Sequence, residues 1–124
     1  MQDKIEHIEV DNIKYPLVFN LNVIEKIQEE YETIEKWGDL TDGQEREDGT
    51  KREVNIKALK FGITEMINEG IDIENEDLDI KRDMLTTKQV GRIITKIGAD
   101  KILTDVHKTV TNSTKQEDDD EKNV

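Results

Sequence analysis

Apolar positions change period along this chain, and the changes mark its elements. Ile13, Tyr15, Leu17 and Phe19 occupy every second position. That alternation sets four large side chains on one face of a strand. Lys4 to Val10 is a short β-branched run, and Asp11-Asn12 is a turn signal between the two. Residues 4–19 therefore read as a β-hairpin. Pro16 cannot donate to a ladder, which puts its strand at an edge or turns the proline outward. A lone two-stranded hairpin is marginal, so its apolar face needs helices to pack on.

From Asn20 the period lengthens. Leu21, Ile24, Ile27, Tyr31 and Ile34 recur at three and four, predicting an amphipathic helix capped by Asn20 and running to about Lys36. Trp37-Gly38 reads as its end. Residues 39–53 hold two Asp-Gly turn signals and read as a loop. Ile56, Leu59, Ile63, Met66 and Ile67 predict a second helix from Asn55 to Glu69, stopped by Gly70. Gly62 inside it costs about 1 kcal/mol relative to alanine, and a glycine there suggests a close approach by another backbone. Residues 71–85 are acidic but carry several apolar side chains, which predicts an irregular, partly buried connection. Thr86 or Thr87 starts a third helix with Val90, Ile93, Ile94 and Ile97, and Gly98 breaks or bends it. A last segment from Asp100 to about Asn112 places Leu103, Val106 and Val110 on one face. Residues 113–124 include five consecutive acids, Glu117 to Glu121, and are expected to be a disordered acidic tail. The predicted architecture is α+β: an N-terminal hairpin packed on three to four helices in one small domain, residues 1–112.

Composition narrows the function. Of the 124 residues, 33% are hydrophobic, 39% charged and only 4% aromatic, so the core is expected to be small. The net charge of −12 repels phosphate-rich partners, which argues against nucleic acid and anionic membrane surfaces. The absence of cysteine removes disulfides, thiolate metal sites and a cysteine nucleophile. The N-terminal residues lack the apolar core of a signal peptide, and no run approaches the roughly 18 apolar residues of a membrane span. A cytoplasmic location is expected.

Candidate chemistry is sparse. His7 and His107 lie in different predicted elements, and neither has a second histidine at metal-ligand spacing. The single serine, Ser113, falls in the predicted tail, far from the sharp turn that a catalytic serine occupies. Asp72, Glu74, Glu76 and Asp79 resemble the opening of a calcium loop. Asp77 stands where such a loop needs glycine, and Asp83 where it needs the bidentate Glu, so a solvated acidic connection is the plainer reading. No phosphate-binding glycine motif occurs. No catalytic residue, cofactor site or metal site is assigned, and the chain does not read as an enzyme. Tyr31 reads as core. Trp37 reads equally as core or as a partner contact, and Phe61 lies off the main stripe of its helix. Trp37 and Phe61 are the candidate partner-binding residues.

The order of signals carries more than any one of them. Ile13-Lys14-Tyr15-Pro16-Leu17-Val18-Phe19-Asn20 leads straight into a helix whose end carries Glu29-Glu30-Tyr31, followed by Ile34-Glu35-Lys36-Trp37, a polar loop, a helix ending in Asn68-Glu69-Gly70, and Leu85-Thr86-Thr87-Lys88-Gln89-Val90-Gly91. Over about residues 8–112 this resembles the tail assembly chaperones of long-tailed bacteriophages and prophages of Gram-positive bacteria, with their K-x-Y-P-L-x-F strand, from which this chain departs in having Lys14 directly before Tyr15, and their E-x-Y helix. The resemblance implies a non-enzymatic assembly factor in the host bacterial cytoplasm. Such a factor binds the tape-measure protein, keeps it soluble, and leaves as the tail tube grows. It also implies a longer frameshifted product that recruits tail-tube subunits, and it leaves room for self-association. The 39–53 loop departs from that pattern in length and charge. A rival from another class is an acidic DNA mimic that inhibits a host DNA-binding factor. A mimic needs carboxylates spaced like phosphates along an exposed face, and the acid runs here are too local to demand that.

Overall fold

A computed structural model describes residues 5–42, 47–50 and 53–122, with side chains as far as residue 113. The chain is α+β, as its periodicities predict. Strands β1 (Glu6–Val10) and β2 (Ile13–Leu17) form an antiparallel hairpin, followed by α1 (Leu21–Tyr31), α2 (Ile34–Thr41), α3 (Ile56–Asn75), α4 (Thr87–Ile97) and α5 (Ala99–Lys122). Among the described residues there are five helices, one more than expected, and no helix is long and apolar enough to cross a membrane.

Asp11 and Asn12 both adopt positive φ, 53° and 65°, which gives a two-residue turn whose twist matches the strands. The register pairs Val10 with Ile13 and His7 with Pro16. Both strands of a two-stranded sheet have a free edge, so Pro16 costs no ladder bond it could have made on that side. The predicted buried face is only half right. Leu17 and Phe19 are buried and Tyr15 is partly so, but Ile13, at the hairpin tip, is 47% exposed. From Pro16 to Asn20 every residue is buried, so both sides of this segment are covered. The Val18 amide donates to the Met66 carbonyl of α3 at 3.2 Å, tying strand end to helix.

Asn20 caps α1 as expected, its Oδ1 accepting from the Val23 amide at 3.3 Å. The helix predicted to reach Lys36 instead ends at Tyr31. Glu32 takes φ 70°, and the Thr33 hydroxyl accepts from the Lys36 amide at 3.0 Å to start α2. Trp37 therefore lies inside a second helix and not at the end of the first, and the loop begins after Thr41. Residues 43–46 and 51–52 of that loop lie outside the described residues.

Gly70 does not stop α3, which runs on to Asn75. A Cβ at Gly70 would sit 2.6 Å from the Pro16 Cβ, so glycine here admits the hairpin against the helix. Gly62 does the same for an aromatic ring: a Cβ there would lie within 3.0 Å of three Trp37 ring atoms. The close approach expected at Gly62 is thus made by a side chain and not by a backbone. The connection after α3 is irregular from Glu76, shorter than predicted. Asn68 braces its far end, donating to the Leu85 carbonyl at 2.9 Å and accepting from the Leu85 amide at 2.8 Å. Thr86 and Gln89 form a reciprocal capping box at the start of α4. Gly98, at φ 98°, separates α4 from α5.

The core is built around α3. Leu59, Ile63, Met66, Ile67 and Ile71 meet Leu17 and Phe19 from the hairpin, Val23 and Ile27 from α1, Val90 and Ile94 from α4, and Ile102 and Val106 from α5. Helix α5 is fixed to the N-terminal region as far as Ser113, whose hydroxyl donates to the Phe19 carbonyl at 3.0 Å. Asn112 donates to Glu6 at 3.0 Å. Ser113 thus belongs to the packed body, and the side chains of the expected acidic tail beyond it lie outside the described residues.

Candidate interaction surfaces

Three concave surfaces stand out among the described residues. The largest, about 420 Å³, is an open groove between α2 and α5. Ile34, Trp37 and Thr41 recur at three and four on α2, and Leu103, Val106 and Val110 do so on α5, so each helix turns one stripe to the groove. Trp37 forms its floor. The indole is only 4% exposed, and its Nε1 donates to the Ala58 carbonyl at 2.9 Å. Asp42 and His107 are exposed at the rim. Of the two roles its position left open, Trp37 takes the buried one in the free chain, while still lining the floor of the groove.

The second surface follows the seam of α3 and α4, where cavities of about 270 and 210 Å³ share Ile56 and Lys60. Phe61 sits at one end, half-buried, with its ring edge-on to Tyr31 at 5.7 Å between centroids. Burial raises the Tyr31 phenol above its ordinary pKa, helped by the neighbouring Glu30 carboxylate. Ile56 is 57% exposed beside Lys57 and Lys60. Phe61 keeps the border position its helical phase predicts.

The third surface, between α1 and α3, is polar and about 250 Å³. Glu69 accepts from the side-chain amides of Asn20 at 2.7 Å and Asn22 at 2.8 Å, which makes it a brace for the start of α1. Burial holds the Glu65 carboxyl above its ordinary pKa, Glu29 and Glu69 adding to the rise and Lys26 opposing it.

The remaining candidates are dispersed. His7 pairs with Glu74 at 2.9 Å, joining β1 to the end of α3, while His107 is on α5. Ser113 spends its hydroxyl proton on Phe19. In the acidic 72–83 stretch, Asn75 grips the backbone of Arg82 from both sides, at 2.9 and 3.0 Å. Arg82 in turn lies over the Tyr15 ring, 5.4 Å from its centroid. Among the described residues, no three His, Asp or Glu side chains are grouped to hold a metal ion. Comparison of the chain with family models, with curated proteins and with solved structures finds no match.

Proposed function

We propose that this chain is a non-catalytic assembly chaperone that covers the apolar stripe of a long helical client. The observation that carries the reading is the α2/α5 groove, an open apolar trench on a molecule of net charge −12. An amphipathic helix lays a row of i, i+3, i+4 and i+7 side chains into such a trench, and burial supplies the affinity. The acidic exterior then keeps the pair soluble. The sequence resemblance directs the proposal to one client, the tape-measure protein of a long-tailed phage or prophage, in the host cytoplasm. A frameshifted longer product recruiting tail-tube subunits belongs to the same proposal.

Co-expression with the tape-measure protein of the same genome tests it. The client should stay soluble and co-purify, and the complex should survive moderate salt, which screens charge but not burial. His107→Asp at the exposed rim of the groove should weaken recovery while leaving the thermal midpoint within a few degrees, whereas Leu103→Asp, whose side chain packs partly on the core, should lower both. Trp37→Ala should lose binding and stability together. An insoluble client and an empty pull-down would overturn the proposal, and inhibition of a host DNA-binding factor would replace it with the mimic.

A further inference from the structure

Of the three concave surfaces described, the α3/α4 seam is the one whose charge runs against that of the whole molecule. Lys57 and Lys60 line it, and Glu30 is the single acid on its wall. On α4, Thr87, Gly91, Ile94 and Thr95 face the seam, with Gly98 just beyond the helix end, and the exposed Lys88 and Arg92 stand one position past Thr87 and Gly91, beside the lining and not in it. None of these four cations forms an ion pair among the described residues, whereas Lys26, Lys36, Lys96 and Lys101 all do. The surface between them is apolar, with Ile56 and Phe61 exposed or half-exposed. Such a trough suits an acidic segment.

The chain carries one of marked density: Glu117-Asp118-Asp119-Asp120-Glu121. Its own trough is badly placed to receive it. Helix α5 starts at the trough edge, at Ala99, and runs for 24 residues to Lys122. At about 1.5 Å per residue the helix carries the acids some 30 Å away from that edge. A neighbouring molecule has no such constraint. We propose that the α3/α4 trough docks the acidic C-terminal segment of a second copy of this chain, Glu117 to Glu121 meeting Lys57, Lys60, Lys88 and Arg92. The contact is heterologous, tail to trough, so a dimer still holds one free tail and one free trough and the assembly extends head to tail. Two bodies of charge −12 repel at long range, so the contact forms at high local concentration and depends on ionic strength. This inference is independent of the client reading, since the two surfaces share no residue.

Sedimentation of the full chain tests it. The parent should show an average mass that rises with concentration above that of one chain. Lys57→Glu/Lys60→Glu, with a spoiled trough, and Asp118→Lys/Asp119→Lys/Asp120→Lys, with a spoiled tail, should each stay monomeric, weakening the contact at least about tenfold. Mixed together, the two variants should form a dimer that goes no further, because only one intact tail and one intact trough remain. Lys57→Glu/Arg92→Glu, both exposed, replaces the trough variant if Lys60→Glu lowers the thermal midpoint. A parent that stays monomeric overturns the proposal, as does association that survives either variant. A mixture that stays monomeric while the parent associates would show that tail and trough are not partners.

Discussion

Gly62→Ala puts two opposed effects in one substitution. In an exposed helix interior, alanine is better than glycine by about 1 kcal/mol. Here the new Cβ would lie 2.7 Å from Trp37 Cε2 and 2.9 Å from Nε1, with Cζ2 nearer still. Carbon atoms settle at about 3.5–4.0 Å, so the ring must retreat by about 1 Å or more. It has little room, being 4% exposed and hydrogen-bonded at 2.9 Å to the Ala58 carbonyl. Overpacking of this kind costs about 1–3 kcal/mol. A broken bond to a buried indole N–H adds about 1–3 kcal/mol. Against the gain in propensity the net is a loss of about 1–5 kcal/mol, on the order of 10 °C in midpoint at the middle of that range. Thermal unfolding followed by circular dichroism measures it, and the single tryptophan reports its own displacement as a change in emission. In a Trp37→Leu background the same Gly62→Ala change should be neutral or stabilising. A Gly62→Ala protein that melts at or above the parent temperature would refute the packing of α2 on α3 described here.

Gly70→Ala should destabilise by about 1–3 kcal/mol, because the Pro16 ring stands 2.6–2.8 Å from the added carbon; chemical denaturation with an unchanged slope would register it. Removing residues 114–124 should leave the midpoint within a few degrees, whereas a cut that also takes Asn112 and Ser113 should lower it, since those two anchor α5 to Glu6 and Phe19. The carboxyl of Glu65 has its folded-state pKa raised, so the fold binds that proton more tightly than the unfolded chain does and loses stability as pH rises through the folded value. Glu65→Gln should therefore match the parent in acid, equal or exceed it at neutral pH, and flatten the curve between; a lower neutral midpoint would contradict the sign.

Local chemistry was legible wherever one residue decides the backbone. Asn20 caps α1 as its chemistry predicts, Thr86 is the one of the two candidate threonines that caps α4, and Gly98 ends that helix. The break at Glu32 was not, because the apolar spacing of Ile27, Tyr31 and Ile34 runs straight across it, and a glutamate at positive φ has no compositional mark. The one available signal was Thr33, three residues before the amide it caps. Missing that break misplaced Trp37 and so hid the α2/α5 groove, although the α5 half of it, Leu103, Val106 and Val110, stood on one face by periodicity alone. Gly70 misled for the opposite reason. A glycine near a plausible helix end reads as a stop, and only the tertiary partner, Pro16, shows it to be a seat.

That seat has a consequence for the order in which the protein can be made. The hairpin and α1 are translated before α3, yet Leu17, Phe19, Val23 and Ile27 share their core with Leu59, Ile63, Met66, Ile67 and Ile71 of a helix that does not begin until Ile56. A hairpin alone is marginal. Until Gly70 and Ile71 have left the ribosome, the nascent chain therefore holds its most apolar strand and its first amphipathic helix with nothing to cover them. Folding on the ribosome is a late event for this chain, and the long polar stretch before α3 sets how long the N-terminal third must wait.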